Sequence, residues 1–285
     1  MNELEFRPAA SLSSSELAAL FTRGYQRYLT PVSVDATDFE NMVLTSDLDL
    51  EASCVGFEKR LPVTFALLGV RGAHGWVGGM GVIPEARGRG YGRAAMMRIL
   101  AAARALAIAE LDLEVLEHNL PAARIYQALG FRDRRWVDVW VRNPGVLVWR
   151  SGGAAAGGAT ELPVDACLEL HTAFQPIRSP WQRDLPSLRH WAPRLSAVGV
   201  RDARGIAGFV LYRATEDRLS LADLAVAPGA DIAPLASALA ELIAARPACT
   251  TMLVNLPTDS AFAHALREVG AQVRLRQREM TLALD

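Results

Sequence analysis

Excess charge of either sign is missing from this sequence: 30 Lys and Arg stand against 31 Asp and Glu, a formal net charge of −1. Such a balance gives no general attraction to nucleic acid or to an anionic membrane, so any hold on an anion must be local. Cysteine is scarce as well. Cys54, Cys167 and Cys249 lie far apart, with no CxxC pair and no Cys/His ligand spacing, which argues against a disulfide framework and a metal site. A reducing, cytoplasmic home is expected. Long apolar runs are absent too. The most apolar stretch, residues 219–245, is broken by Asp223, Pro228, Asp231, Pro234 and Glu241, so no membrane span is expected. The opening residues, MNELEFR, are acidic and lack the apolar region of a signal peptide. The partners expected are therefore small molecules, not nucleic acid or membrane, for a monomer or homodimer.

What is present is a well-supplied core. Hydrophobic residues make up 51% of 285, enough for two globular domains. Residues 151–160, a run of Gly, Ala, Ser and Thr with little to pack, read as a linker between a first domain of 1–150 and a second of 161–285.

In the first part, residues 4–8 suggest a strand, and Ser13 to Glu16 offer caps to a helix running towards Tyr28. A helix is expected over 35–43, strands over 53–58, 63–71 and 76–83, and a helix over 90–106. A strand over 111–115, a helix over 121–129, and strands over 135–141 and 146–149 follow. The second part repeats the order: strands at 205–212 and 219–226, a helix at 231–245, a strand at 250–254, a helix at 260–268 and a strand at 274–284. The pattern predicts an α/β class with mixed sheets and an internal duplication.

Chemistry is concentrated in Val82-Ile-Pro-Glu-Ala-Arg87-Gly88-Arg89-Gly90-Tyr91-Gly92-Arg93. A strand ends, the chain turns through alternating glycines, and a helix begins. Such a turn lets backbone N–H groups converge on a phosphate, helped by the helix N-terminus. Arg87, Arg89 and Arg93 supply local positive charge. The spacing is not G-x-G-x-x-G and no G-K-[ST] follows, so neither a dinucleotide fold nor an NTPase is supported. Gly78-Gly79-Met80-Gly81, inside a strand, predicts a bulge, close approach of a ligand, or tight packing beneath a bulky side chain. Downstream, Asn119 follows a strand and precedes a helix that carries Tyr126 and ends at Gly130.

The segment from about residue 63 to 141 resembles the GCN5-related N-acetyltransferase (GNAT) family. Arg87-x-x-Gly90-x-Gly92 is similar to its R/Q-x-x-G-x-G/A pyrophosphate motif. Asn119-x-x-Ala122-x-x-x-Tyr126-x-x-x-Gly130-Phe131 is similar to its N-x-x-A-x-x-x-Y-x-x-x-G-F signature. The resemblance implies two tandem domains of central mixed, mostly antiparallel sheet flanked by helices, with acetyl-CoA as cosubstrate and an unidentified amine as acceptor. It implies that Met80, Gly81 and Val82 hold the pantetheine, that residues 87–93 and Asn119 serve the cofactor, and that Tyr126 is the general acid. For the base it leaves Glu114, Glu117, His118, Asp47, Asp49 or a water chain, with an ordinary exposed strand Glu as the plain reading of Glu114. Tyr25, Tyr28, Phe39 and Asp49 lie where the family builds acceptor pockets, and the stretch 174–183 with His190 and Trp191 is a further candidate wall. The second half departs from the pattern: the 226–234 turn has no arginine and gains Pro234, and Leu266 stands in the tyrosine's place. A degenerate domain without a cofactor site is expected there.

Overall fold

The computed structural model describes residues 4–26, 32–145, 159–175 and 177–284. The chain divides into unit 1, Met1–Arg134 with Arg278–Asp285, and unit 2, Arg135–Gln277.

Unit 1 begins with β1 (Glu5–Pro8), α1 (Ser14–Gly24) and α2 (Ala36–Thr45). Both helices start where side-chain oxygens satisfy their first N–H groups. Ser13 and Glu16 form a reciprocal capping box, and Asp35 accepts from the Asp38 N–H. Next come β2 (Leu48–Glu58), β3 (Leu61–Arg71), β4 (His74–Val82), α3 (Tyr91–Ala105), β5 (Glu110–Leu116) and α4 (Leu120–Ala128). Strands β1 to β4 pair antiparallel in sequence order, and β5 joins β4 in parallel. The two faces of β4 separate the helices. Gly79 lies against Phe21 of α1 and Gly81 against Gly24 at its end, whereas the alternate residues Met80 and Val82 meet Gly92 of α3. On the α3 side, Met96, Ile99 and Leu100 pack into a core with Leu111, Leu113, Tyr126 and Phe131. Burial of each such aliphatic side chain contributes about 2 kcal/mol before chain entropy is counted.

Next in the chain is β6 (Arg132–Arg142), which passes into unit 2 at Arg135. Unit 2 continues with β7 (Thr160–Glu161), α5 (Val164–Phe174), α6 (Leu185–Trp191), β8 (Ser196–Asp202), β9 (Gly205–Ala214) and β10 (Arg218–Val226). It ends with α7 (Ala233–Ala244), β11 (Thr250–Pro257), α8 (Phe262–Glu268) and the first half of β12 (Gln272–Ala283). Its strands run in the order β6, β11, β10, β9, β8, β7, with β10 and β11 parallel.

The two units therefore do not coincide with residues 1–150 and 161–285. Residues 278–283 of β12 complete the sheet of unit 1 beside β5, placing Met280 and Leu284 in its core, and β6 from residue 135 pairs with β11 in unit 2. A closing strand with alternating apolar residues fits either sheet, and the pairing partner is what distinguishes them. The 151–158 part of the expected linker and the strand expected at 146–149 lie outside the described residues.

The expected duplication is present in the strands. In unit 1, Leu67 pairs with Gly79 and Leu68 with Val77, leaving Gly78 as an extra bulged residue. In unit 2, Leu211 pairs with Asp223 and Tyr212 with Leu221, leaving Ala222 in the same role.

Candidate active site

Parallel strands β4 and β5 share a ladder over three positions only, His74↔Glu110 to Trp76↔Asp112. Immediately afterwards β4 bulges at Gly78 and the two strands part, opening a wedge in the sheet. Ile83 donates its N–H to Val63 O across to β3 (3.0 Å), so by alternation the backbones of Met80 and Val82 face the wedge and that of Gly81 faces β3. Of the three residues expected to offer backbone groups, Met80 and Val82 turn theirs towards the wedge and Gly81 turns its towards β3. Gly81 is also tightly packed: a Cβ there would lie 2.5 Å from the Phe65 ring. Gly78 likewise sits under Trp76 (2.6 Å) and Gly79 under Phe21 (2.9 Å). Two of the three readings of the glycine run hold at once, a bulge and a floor for bulky rings.

At the end of β4 the turn enters α3. Gly88 (φ +77°) and Gly90 (φ +82°) occupy the left-handed region, and Gly90 is the N-cap of α3. A Cβ at either would meet no atom within 4 Å, so backbone conformation and not space demands glycine, and the ground above them is open. No side chain caps α3 and no acid stands in its first turn, so the N–H groups of Tyr91, Gly92 and Arg93 present a positive end without a competing carboxylate. This cradle fits a phosphate group.

The arginines divide their duties. Arg87 is turned onto the protein: Nε donates to Val82 O (3.0 Å) and Nη2 to Gly24 O (3.0 Å) and Gln26 O (2.7 Å). It ties the end of α1 to the end of β4. Arg89 donates to both Glu58 carboxylate oxygens (3.3 and 3.0 Å) and to Glu85 O. Arg93 is exposed and has no ion pair among the described residues. The positive charge left open at the turn is thus smaller than three arginines suggest.

Glu114 stands on β5 where the strands part, and its Oε2 accepts from Trp76 Nε1 (2.8 Å). Trp76 is a partner that sequence reasoning did not single out. Asn119 caps α4 by accepting from the Ala122 N–H (3.3 Å), which sets the direction of the helix carrying Tyr126. Tyr126 is buried edge-on against Phe131 at 6.0 Å. The other base candidates are placed differently. Asp47 forms an ion pair with Arg71 (2.7 Å), and Asp49 accepts from the Glu51 and Ala52 N–H groups. Glu117 and His118 pair loosely at 3.9 Å in the turn after β5. Of the acceptor candidates, Tyr25 packs on Phe21 at 4.7 Å, Phe39 is core, and Tyr28 lies outside the described residues.

Residues 20–131 match the sequence model of the acetyltransferase (GNAT) family. The match lies within unit 1 and spans β2 to α4. Solved structures resemble the chain over almost all its length. A GCN5-related N-acetyltransferase from Sphaerobacter thermophilus has a TM-score of 0.71 at 16% identity, covering 98% of this chain and 95% of that one. A tandem GNAT protein from the clavulanic acid biosynthesis pathway has a TM-score of 0.67 at 16% identity, with 99% and 98% covered. A GCN5-related N-acetyltransferase from Kribbella flavida has a TM-score of 0.61 at 18% identity, with 99% and 71% covered. These likenesses show the fold, two GNAT-like domains in one chain. No curated protein sequence matches.

Elsewhere in unit 1, His74, Glu110 and Asp112 cluster within 4.8 Å, but Arg134 joins them at 2.9 Å from Asp112 and 3.4 Å from Glu110. Burial raises the Asp112 carboxyl, and the His74 hydrogen bond and Arg134 charge outweigh it, so the net shift is downward. This is a network of ion pairs and hydrogen bonds among protein side chains. Burial pushes the Cys54 thiol up to about 12, so it offers no thiolate nucleophile at neutral pH.

In unit 2 the strand wedge is built from charged side chains. Parallel pairing of β10 with β11 ends at Leu221↔Leu253, and Asp223 follows the bulge, fully buried. Arg183 Nη2 donates to Asp223 Oδ1, Gln175 Nε2 donates to Oδ2 at 3.3 Å, and His171 Nε2 lies 3.2 Å from Oδ2. The candidate wall at 174–183 is thus largely committed inside unit 2, and Trp191 is covered by the Arg213 guanidinium at 4.3 Å. At the following helix, Pro234 stands in the first turn of α7, and Asp231 accepts from the Ala233 N–H at 3.0 Å.

Proposed function

We propose that unit 1 transfers an acetyl group from acetyl-CoA to a primary amine by direct attack in a ternary complex. The observation that carries this reading is the parting of β4 from β5 at a glycine bulge, followed by the Gly88–Gly90 turn into α3. The pyrophosphate accepts from the backbone of 88–93, where Arg93 adds charge, and the pantetheine runs along Met80 and Val82. The Val82 N–H polarises the thioester carbonyl and stabilises the developing oxyanion. The amine nitrogen bonds to the carbonyl carbon, the C–S bond breaks, and the thiolate takes a proton from Tyr126. A phenol with a pKa of about 10 remains protonated at neutral pH and can protonate the thiolate as it forms. The amine's proton goes to Glu114, held by Trp76, directly or through water. Asn119 supports this arrangement by starting α4.

Unit 2, in this reading, binds no acyl-CoA. Pro234 removes an N–H where the anion would sit, Asp231 adds negative charge, and Asp223 with Arg183 is buried just past the point where β10 and β11 cease to pair. A crystal soaked in acetyl-CoA with cofactor beside Asp231 would overturn this part.

A second reading, a non-catalytic acetyl-CoA-binding regulatory or scaffold protein, is favoured by Arg87 and Arg89 being occupied by protein groups. Thiol release from acetyl-CoA over a panel of amines separates the two. Acceptor-dependent release is expected. Acetyl-CoA binding by calorimetry without release for any amine, polyamine, amino acid or peptide N-terminus supports the scaffold instead.

A further inference from the structure

Away from the wedge, unit 1 contains a pocket of about 360 Å³ between the outer side of α1, β1 and the β2–β3 turn. That volume suits a small organic molecule. Leu20, Phe57 and Pro62 give it an apolar floor, and its ionisable lining is Arg7, Arg23, Arg60 and Glu16.

The four charges are not equivalent. Glu16 is turned to its own helix start: its Oε2 accepts from the Ser13 N–H (2.9 Å) and hydroxyl (2.7 Å). Arg7 lies over the Phe57 ring, its guanidinium carbon 4.6 Å from the centroid, and is steadied by Glu5 at 2.8 Å. Arg23 reaches Glu85 only at 3.5 Å, in a pair exposed on both sides and therefore weak. Arg60 has no carboxylate partner among the described residues.

The backbone adds a second, independent observation. Lys59 (φ +49°) and Arg60 (φ +71°) are both left-handed in the two-residue turn between β2 and β3. Such hairpin turns favour Asn-Gly, because a Cβ is disfavoured there. Two long basic side chains occupy that strained turn, and one of them lines the pocket. Strain retained beside a cavity directs attention to a ligand.

We propose that this pocket is a second ligand site of unit 1, for a small aryl or alkyl anion. The apolar body lies on Leu20, Phe57 and Pro62, and its carboxylate or phosphate faces Arg60 and Arg23. The site shares no lining residue with the cofactor turn, which it adjoins through the Arg23–Glu85 pair, and it does not depend on acetyl transfer.

The test is calorimetric titration of the full chain with benzoate and phenyl phosphate, and with benzyl alcohol as a neutral match. Arg60→Gly is the informative variant, since glycine suits the turn and keeps the fold. Arg23→Gln is the companion. The anions are expected to bind at least tenfold more weakly to Arg60→Gly and several-fold more weakly to Arg23→Gln, and benzyl alcohol to bind poorly throughout. Binding of benzyl alcohol as tight as benzoate overturns the proposal. So does anion affinity that survives Arg60→Gly and falls in Arg93→Ala, because the probe is then at the cofactor turn.

Discussion

The same place in two related sheets has been filled in opposite ways. In unit 1 the residue after the bulge is Gly79, and the helix above it presents Phe21 and Tyr25. In unit 2 it is Asp223, and the corresponding helix presents His171 and Gln175. The register that pairs Leu221 with Leu253 puts Val254 where unit 1 has Glu114. One wedge is floored by backbone and rings, with a carboxylate at its margin. The other is closed by a buried charge and its partners. A strand pair that parts leaves polar backbone to be satisfied, either by a ligand or by built-in side chains.

The largest effect expected from breaking this contrast is at Asp223. Asp223→Ala leaves Arg183 buried without its counter-charge and should cost unit 2 about 3–5 kcal/mol. Hydrogen exchange of the β10 and β11 amides in urea checks it, with the α3 amides as the control. Burial raises the Asp223 carboxyl, and the attraction of Arg183 and the contact with His171 more than reverse this, so its net shift is downward. A carboxyl lowered in the folded state stabilises above its unfolded value of about 3.9, and that contribution is lost as pH falls through the folded value. Acid titration should therefore loosen wild-type unit 2 below about pH 4. Asp223→Ala should lack that component.

Tyr126 comes next. Tyr126→Phe should lower kcat by at least about 100-fold, while the acetyl-CoA dissociation constant changes by less than about threefold. Full activity in this variant removes the general-acid assignment. Leu266→Tyr in unit 2 sharpens the comparison: with Asp223 in place, the added hydroxyl should produce no thiol release in a Tyr126→Phe background.

The smallest expected effect concerns helix starts. Asn119→Ala removes the side-chain cap of α4 and should cost about 1 kcal/mol in unit 1. Ala261→Ser in unit 2 should gain almost nothing, because Ala261 (φ −57°, ψ −24°) is already helical and a cap requires a non-helical backbone. Matched chemical denaturation of the two variants measures the difference.

Local chemistry was legible in the sequence, and distant pairing was not. Ser13, Asp35 and Asn119 begin helices because their side chains serve N–H groups three residues on, a relation visible in any short window. Gly88 and Gly90 announced a turn that only positive φ permits. Arg87 looked like a ligand for anions, and its carbonyl partners Gly24 and Gln26 lie more than sixty residues earlier. Asp223, Arg183 and His171 gather from three separate segments, so no spacing rule reveals them. The destination of β12 was equally hidden, since its alternation fits more than one sheet edge.

That last strand has a consequence for synthesis. All the candidate catalytic and cofactor-binding residues have been made once translation passes Tyr126, yet residues 278–285 still have to arrive before unit 1 is whole. Until then β5 is an open edge, and Leu113 and Val115 belong to a core that still lacks Met280 and Leu284. A ribosome carrying the nascent chain holds an unfinished unit 1 throughout the translation of unit 2, so unit 1 can become complete only after all of unit 2 has been made.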